Sequence, residues 1–372
     1  IMSQNSAING QSGKTIVFTG GGTGGHIYPN LALVGEFEKR GFTPVYIGGE
    51  GDTLEGRLAK SNGIEYHGVP TIKFVRSLSL SAIKNNLKIP VALKKSIDEA
   101  TTLLKQIKPD CVFSKGGFVS LPVVCSAKKL GIPVFAHESD LTLGLANKIA
   151  MQKGAIMLKA NPHSKFKGTF VGMPLREELF CKDKTKALKT LGINNPTNKK
   201  VLLILGGSLG AQAINDAVVS NIDELTKNYF VLHVSGKNKA QKISHDGYKC
   251  FEYADDISAF YAVSDIIVSR AGATAVFEIS VLKKRALFIP LPKGVSRGDQ
   301  IYNADLAKEY GAQILVQDAD FAKKFVKAVK DTAQSSPMKI IANDANGKIA
   351  DIVCDTLRRG EKCKDKKPSQ NG

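Results

Sequence analysis

The sequence predicts an α/β protein built of two doubly wound, Rossmann-like domains facing each other across a cleft. The first observation is length: 372 residues exceed what one ordinary core organises, and two domains of about 150 residues or more are the natural division. The second is that short apolar runs alternate with amphipathic stretches, the pattern of a parallel sheet wrapped by helices. The third is an interruption. Between residues 166 and 180, Gly168, Gly172 and Pro174 break the alternation, which then restarts on the same plan.

In the first half, residues 15–19 (TIVFT) read as a buried strand that runs into Gly20-Gly21-Gly22-Thr23-Gly24-Gly25-His26. A helix is predicted over 29–40, with Pro29 in its first turn and Gly41 closing it. Further strands are predicted at 45–48, 111–114 and 134–136, the last two joined by a helix over 120–130 that Gly131 ends. In the second half, residues 201–205 (VLLIL) form a strand entering a second glycine turn, Gly206-Gly207-Ser208-Leu209-Gly210-Ala211, and a helix starts near Gln212. Strands follow at 230–235, 266–269 and 286–289. In such folds ligands bind at the carboxyl ends of the strands.

A composition of 43% hydrophobic and 23% charged residues suits a globular chain. No run approaches the roughly 20 apolar residues of a membrane span. Residues 1–14 are polar, read as a disordered leader rather than a signal peptide, and imply a cytoplasmic protein. The six cysteines contain no C-x-x-C pair, so reduced thiols without metal or disulfide roles are expected. Cys111 and Cys125 sit in apolar runs and read as core residues.

The net charge of +18 calls for nucleic acid, an anionic membrane or phosphorylated substrates as partners. Between residues 71 and 108, eight basic residues face only Asp98 and Glu99 and are interleaved with Ile72, Phe74, Leu78, Ile83 and Ile89. That mixture suits a membrane surface, or equally a core helix with a solvated lysine face. Aromatic residues are too sparse there to stack on bases, so no nucleic-acid partner is expected. The basic tail over 358–367 is expected to be disordered.

A strand, a glycine turn and a helix start together make an anion cradle: glycine lets the backbone approach, and free N–H groups and the helix dipole attract phosphate. This chain has two, at 20–25 and 206–210, and a third candidate in Lys115-Gly116-Gly117-Phe118. A dinucleotide enzyme is the rival reading, since Gly20, Gly22 and Gly25 satisfy G-x-G-x-x-G. The acid expected at the end of its second strand is missing, as 45–48 runs into Gly49 and then Glu50. His26 follows the first turn and reads as a general base or as a helix-capping or phosphate-binding side chain. His233 alternates within a strand and reads as a core or sheet residue. Two clusters follow strands: His137-Glu138-Ser139-Asp140, and Arg270-Ala271-Gly272-Ala273-Thr274 with Glu278 one turn further. The latter suits a nucleotide sugar, with Glu278 on a ribose diol or simply on its own helix N-terminus.

These stretches, in this order, resemble the MurG family of GT-B glycosyltransferases. The matching residues are 21–29 (GGTGGHIYP), 116–120 (GGFVS), His137 to Asp140 with Asn147-Lys148, 172–176 (GMPLR), 206–211 (GGSLGA), 270–278 and 298–304 (GDQIYNA). The resemblance implies a leader at 1–14, an acceptor and membrane domain at 15–167, a linker at 168–180, a UDP-GlcNAc domain at 181–345, and a final helix with a basic tail at 346–372. It implies an inverting transfer of GlcNAc from UDP-GlcNAc to the 4-hydroxyl of undecaprenyl-diphosphate-linked MurNAc-pentapeptide, in peptidoglycan synthesis. The setting would be the cytoplasmic face of an anionic membrane, with no cofactor. On the donor side the resemblance assigns Arg176, Gly207, Ser208 and Gly210 to the diphosphate and Tyr253-Ala254 to uracil. Ala273, Thr274 and Glu278 would lie at the ribose, and Gln300 at the sugar. Thr23, Gly24, Gly25, Gly116, Gly117 and Asp140 fall on the acceptor side. His26 is the implied base, with Glu138 acting through water as the alternative. Phe118 and Asp140 stand where Tyr and Asn are commoner. Another GT-B enzyme, or a non-catalytic nucleotide-sugar- or nucleic-acid-binding protein, is the competing reading.

Overall fold

A computed structural model describes residues 13–71, 89–180, 183–193, 199–207, 210–241, 243–292, 294 and 298–365. The expected leader up to residue 12, residues 72–88 of the basic apolar stretch, Ser208 and the tail beyond 365 lie outside these residues. The chain divides into two compact units. One is Ile1–His137 with Leu145–Ile156 and Ala350–Gly372; the other is Glu138–Gly144 with Met157–Ile349.

The first sheet has seven strands: β1 (Lys14–Thr19), β2 (Phe42–Gly49), β3 (Glu65–Val69), β4 (Cys111–Ser114), β5 (Val134–Glu138), β6 (Ile156–Lys159) and β7 (Thr169–Phe170). Their order is β3-β2-β1-β4-β5-β6-β7, and β1 pairs in parallel with both β2 and β4. Ile16, Val17 and Phe18 are fully buried, because helices cover both faces of a parallel sheet and its central strands become continuous apolar runs. The accompanying helices are α1 (Gly24–Glu38), α2 (Leu54–Ser61), α3 (Ile89–Ile107), α4 (Ser120–Lys129) and α5 (Leu145–Gln152).

The second sheet contains β8 (Lys200–Leu205), β9 (Tyr229–Val234), β10 (Tyr248–Phe251), β11 (Ile266–Ser269), β12 (Arg285–Phe288) and β13 (Gln313–Ile314). Its order is β10-β9-β8-β11-β12-β13. Helices α6 (Lys184–Thr190), α7 (Gln212–Ser220), α8 (Ile222–Asn228), α9 (Ile257–Val263), α10 (Ala273–Val281), α11 (Asp299–Glu309), α12 (Phe321–Gln334) and α13 (Ala345–Asp365) complete the chain. In each sheet the strand order reverses beside the first strand, β1 or β8. The crevice at such a switch point is where α/β sheets take ligands. The turns after β1 and β4 open at the first crevice, and those after β8 and β11 at the second.

Two sequence expectations need correction. Helix α1 starts at Gly24, not Pro29, and Pro29 lies in its second turn. Proline there removes the N–H that would bond the Gly25 carbonyl, and its ring crowds that carbonyl; glycine at 25 lets the peptide tilt away. The basic tail is helical as far as Asp365. Its Arg, Lys and Glu are good helix formers, and Arg358 pairs with Asp355 one turn back at 3.4 Å.

Candidate functional site

In the first unit the glycine run leaves β1 and enters α1 through Thr23, whose side chain makes no capping hydrogen bond. The first amides of α1 therefore head an uncapped helix start. His26 Nδ1 lies 3.1 Å from the Lys115 carbonyl. A carbonyl only accepts, so Nδ1 is a donor, and in the neutral ring Nε2 is then the acceptor nitrogen. The ring is thus oriented by the third glycine motif, which lies nearly ninety residues away in sequence.

Glycines at these positions leave room for neighbouring side chains. Gly117, at φ +82°, has no space for a Cβ: it would stand 2.9 Å from the Gly21 carbonyl oxygen and 3.2 Å from His26 Cδ2. Gly22, at φ +81°, makes room for Phe118 in the same way, and Gly116 for Asn147. Asn147 in turn donates to the His137 carbonyl at 3.1 Å. Thr23, Gly24, Gly25, His26, Gly116 and Gly117 are therefore gathered at one crevice.

Glu55, in the first turn of α2, was not visible as part of this site from the sequence. It is only 3% exposed, and its carboxylate accepts from Gly49 N at 3.3 Å and Gly22 N at 3.5 Å. A Cβ at Gly21 would lie 2.5 Å from Glu55 Oε1. Below it, the buried Tyr46 hydroxyl donates to the Gly20 carbonyl at 2.6 Å, and burial pushes that phenol well above its ordinary pKa. The Gly22 amide, which a dinucleotide pyrophosphate would need, is turned toward Glu55. This explains physically why the G-x-G-x-x-G match does not make a dinucleotide site.

The second unit holds Glu138, Asp140 and the donor candidates. Glu138 accepts three backbone N–H groups, from Ser139 at 2.9 Å, Asp140 at 3.2 Å and Gly144 at 2.9 Å. Its carboxylate is folded into its own loop. Asp140 receives the Asn303 side-chain amide at 3.2 Å, and the same amide reaches the Ala271 carbonyl. This joins the 138–140 cluster to the 270–274 and 298–304 motifs.

Arg176 and Glu278 meet at 3.6 Å, and the Tyr261 hydroxyl donates to Glu278 Oε2 at 3.0 Å. Glu278 is 6% exposed. Burial raises its pKa, and Arg176 opposes that shift. Tyr261 is raised well above its ordinary value by burial and by the Glu278 charge. Arg176 is presented by a short segment clamped from α13: Asn346 accepts from Leu175 N at 3.1 Å and donates to the Leu175 carbonyl at 2.9 Å. Gly172, at φ +89°, lies where a Cβ would reach within 2.6 Å of Ala342 Cβ. Ala273 and Thr274 form the first turn of α10 after Gly272. Gln300 Oε1 accepts from Leu291 N at 3.1 Å, which orients its amide. Tyr253 is 42% exposed, and Ala254 packs against the domain core.

The second glycine turn spans Gly206 to Gly210. Gly207 and Gly210 have φ of +83° and +69°, and Gly210 N donates to the Gly207 carbonyl at 2.9 Å. Arg270, by contrast, spends its guanidinium on the Ile289 and Pro290 carbonyls and serves to tie the ends of β11 and β12. Three other histidines are engaged elsewhere: His67 pairs with Glu65, His163 with Glu309, and His245 with Thr226.

Residues 16–156 match the glycosyltransferase family 28 N-terminal domain, and residues 201–353 match the C-terminal domain of the same family. A Clostridium tetani protein is 39% identical over 319 residues, covering 84% of this chain and 87% of that one. A Lachnospira eligens protein is 40% identical over 362 residues, covering 93% and 100%. Both are named UDP-N-acetylglucosamine–N-acetylmuramyl-(pentapeptide) pyrophosphoryl-undecaprenol N-acetylglucosamine transferase. Among solved structures, Acinetobacter baumannii MurG superposes with TM-score 0.67 at 24% identity, covering 92% of this chain and 99% of that one. A UDP-GlcNAc 2-epimerase from Neisseria meningitidis, bound to UDP-GlcNAc, superposes with TM-score 0.64 at 14% identity, covering 93% and 99%. At those identities the shared property is the two-domain fold.

Proposed function

The chain belongs to the MurG family of family 28 glycosyltransferases, and on that premise we propose that it is an inverting N-acetylglucosaminyltransferase of peptidoglycan synthesis. It moves GlcNAc from UDP-GlcNAc to the 4-hydroxyl of undecaprenyl-diphosphate-linked MurNAc-pentapeptide. The observation that carries the reading is the match of both halves, in order, to relatives of that activity over nearly the whole chain.

In this reading the acceptor's diphosphate meets the uncapped start of α1 at Thr23, Gly24 and Gly25, with Gly116 and Gly117 beside it. His26 takes the 4-hydroxyl proton on Nε2 as the oxygen attacks the anomeric carbon. The C–O bond to UDP breaks on the opposite face. Charge developing on the leaving diphosphate is met by Arg176, Ser208 and the amides of the turn at Gly207 and Gly210. Glu278 takes the ribose, Ala273 and Thr274 line it, Tyr253 and Ala254 flank the uracil, and Gln300 reads the sugar. Glu138 is better suited to shaping the 139–144 loop than to relaying a proton, since its oxygens are committed to backbone amides. Asp140, tied to Asn303, lies beside the sugar-reading helix α11.

An anionic membrane surface is the proposed docking partner, at the cytoplasmic face. Among the described residues no helix is long and apolar enough to cross a membrane. Helix α3 carries Val91, 77% exposed, next to Lys94 and Lys95 on a groove of about 580 Å³. An apolar side chain flanked by lysines suits an anionic headgroup layer.

Transfer of radiolabelled GlcNAc from UDP-GlcNAc into extracted lipid acceptor tests the function, with UDP-glucose and UDP-galactose as controls. The expected product is a lipid-linked disaccharide bearing a pentapeptide. Label entering a diacylglycerol acceptor instead, or none entering any lipid, would overturn the proposal.

A further inference from the structure

Under the second glycine turn lies a polar chain that the proposed mechanism does not use. His233 in β9 and Asn215 in α7 are both fully buried. Asn215 Nδ2 donates to the Ser235 carbonyl at 3.0 Å, so Oδ1 is the atom that faces His233 Nε2, also at 3.0 Å. An amide oxygen only accepts; Nε2 therefore carries the proton, and Nδ1 accepts from the Tyr248 hydroxyl at 2.9 Å. Burial pushes His233 down to about 4, so the ring is neutral, with the one donor and one acceptor this chain requires. Every bond from Tyr248 to Ser235 points the same way.

The Ser235 carbonyl at its end is the floor of the turn. A Cβ on Gly210 would run into that carbonyl and into Gly236. Gly206 N leans on the Val234 carbonyl beside it at 3.4 Å, and Ser235 N is fixed to the Phe251 carbonyl at 2.9 Å. Burial alone would be met by leucine or phenylalanine at 233. A fully satisfied polar network instead defines one orientation of the peptide it ends on.

We propose that His233 and Asn215 are positioning residues for the nucleotide-sugar donor: their hydrogen-bond chain orients the Ser235 peptide, which seats Gly210 and so places the amide at that end of the donor-diphosphate turn. The inference rests on the reading that this turn takes the donor diphosphate. Neither side chain touches the substrate.

His233→Phe, Asn215→Leu and the double variant test it, measured by calorimetric Kd for UDP, KM for each substrate, kcat and Tm. Each single variant is expected to raise the UDP Kd and the UDP-GlcNAc KM about tenfold, the scale of a lost buried hydrogen bond. The acceptor KM should stay put, and the double variant should be no worse than either single one, because one chain is cut in both. Unchanged UDP affinity in both single variants would overturn the inference. Gly207→Val separates this from the underlying reading, since an added Cβ at Gly207 meets none of the described residues within 4 Å and strains the turn through its left-handed φ. If Gly207→Val leaves UDP affinity intact, the donor-turn reading itself is wrong; if it alone weakens UDP, only the relay is. Should the variants not fold, nitrogen-15 spectra of the unaltered protein decide. A neutral Nε2–H ring whose resonances move on adding UDP supports the relay, whereas a protonated ring, an Nδ1–H tautomer or resonances indifferent to UDP overturns it.

Discussion

Replacing Gly117 by alanine tests whether His26 must keep its place, by filling the space beside its ring. The position has φ +82°, a left-handed conformation that costs a residue with a Cβ about 1–2 kcal/mol. The new methyl would also stand 2.9 Å from the Gly21 carbonyl oxygen and 3.2 Å from His26 Cδ2. The contact with the Gly21 oxygen can be relieved only by a backbone shift, and the contact with His26 by moving the imidazole a few tenths of an ångström. A catalytic group displaced by about 1 Å can lose on the order of 10²-fold, and a smaller shift should lower kcat by roughly 10- to 100-fold. Gly131→Ala is the matched control. It shares the left-handed backbone, at φ +72°, but an added Cβ there meets none of the described residues within 4 Å. Gly131→Ala should lose about 2–8 °C in Tm, Gly117→Ala more because of its backbone contact, and only Gly117→Ala should lose kcat. The assay is GlcNAc transfer at saturating donor, with UDP affinity measured separately and expected unchanged. If Gly117→Ala turns over within threefold of the parent although its melting point falls, the room left by Gly117 has no part in placing His26 for catalysis.

His26→Ala should lower kcat about 10²-fold or more, as for a lost general base; a parental kcat in transfer assays would remove His26 from that role. Glu278→Ala should chiefly raise the KM for UDP-GlcNAc, and low kcat at unchanged KM would contradict the ribose assignment. Burial raises the Glu278 pKa, so its stabilising contribution is present below the ordinary carboxylate range and is lost as pH rises through the raised value. As pH rises above the ordinary carboxylate range the parent protein should therefore lose more stability in urea titrations than Glu278→Gln, and equal losses would refute the cause given. Glu55→Gln sets an amide NH₂ against the Gly49 or Gly22 N–H, and should raise acceptor KM several-fold while sparing the donor KM. A variant with both constants unchanged would reduce Glu55 to packing.

What was legible in the sequence follows from where each element lies. Strands β1 and β8 are covered on both faces, so their apolar runs stand out. Strands β3 (EYHGV), at the sheet edge, and β10 (YKCF) are only partly buried, and their mixed composition hides them. Pro29 misplaced the start of α1 because proline is usual at the first helical position, and here a glycine four residues earlier tolerates it further in. The glycine turns were visible because close approach leaves glycine as the one residue that fits. Their partners were not: Glu55 reaches Gly22 across 33 positions, Tyr261 reaches Glu278 across 17, and Asn346 reaches Leu175 across 171. Nothing local marks a glutamate, tyrosine or asparagine for such a task.

The end of α13 is assigned to the first unit, not to the one that precedes it in sequence. Arg40 reaches Asp351 at 2.7 Å and Lys14 reaches Glu361 at 2.8 Å, while Val353 is fully buried. During synthesis the second unit is complete once Ile349 has emerged, whereas the first, begun earlier, waits for its last helix. At ~5–20 residues per second that wait is on the order of ten seconds or more after Ile156. The half made first is thus the half finished last, and it spends that interval with an open flank where α13 will lie.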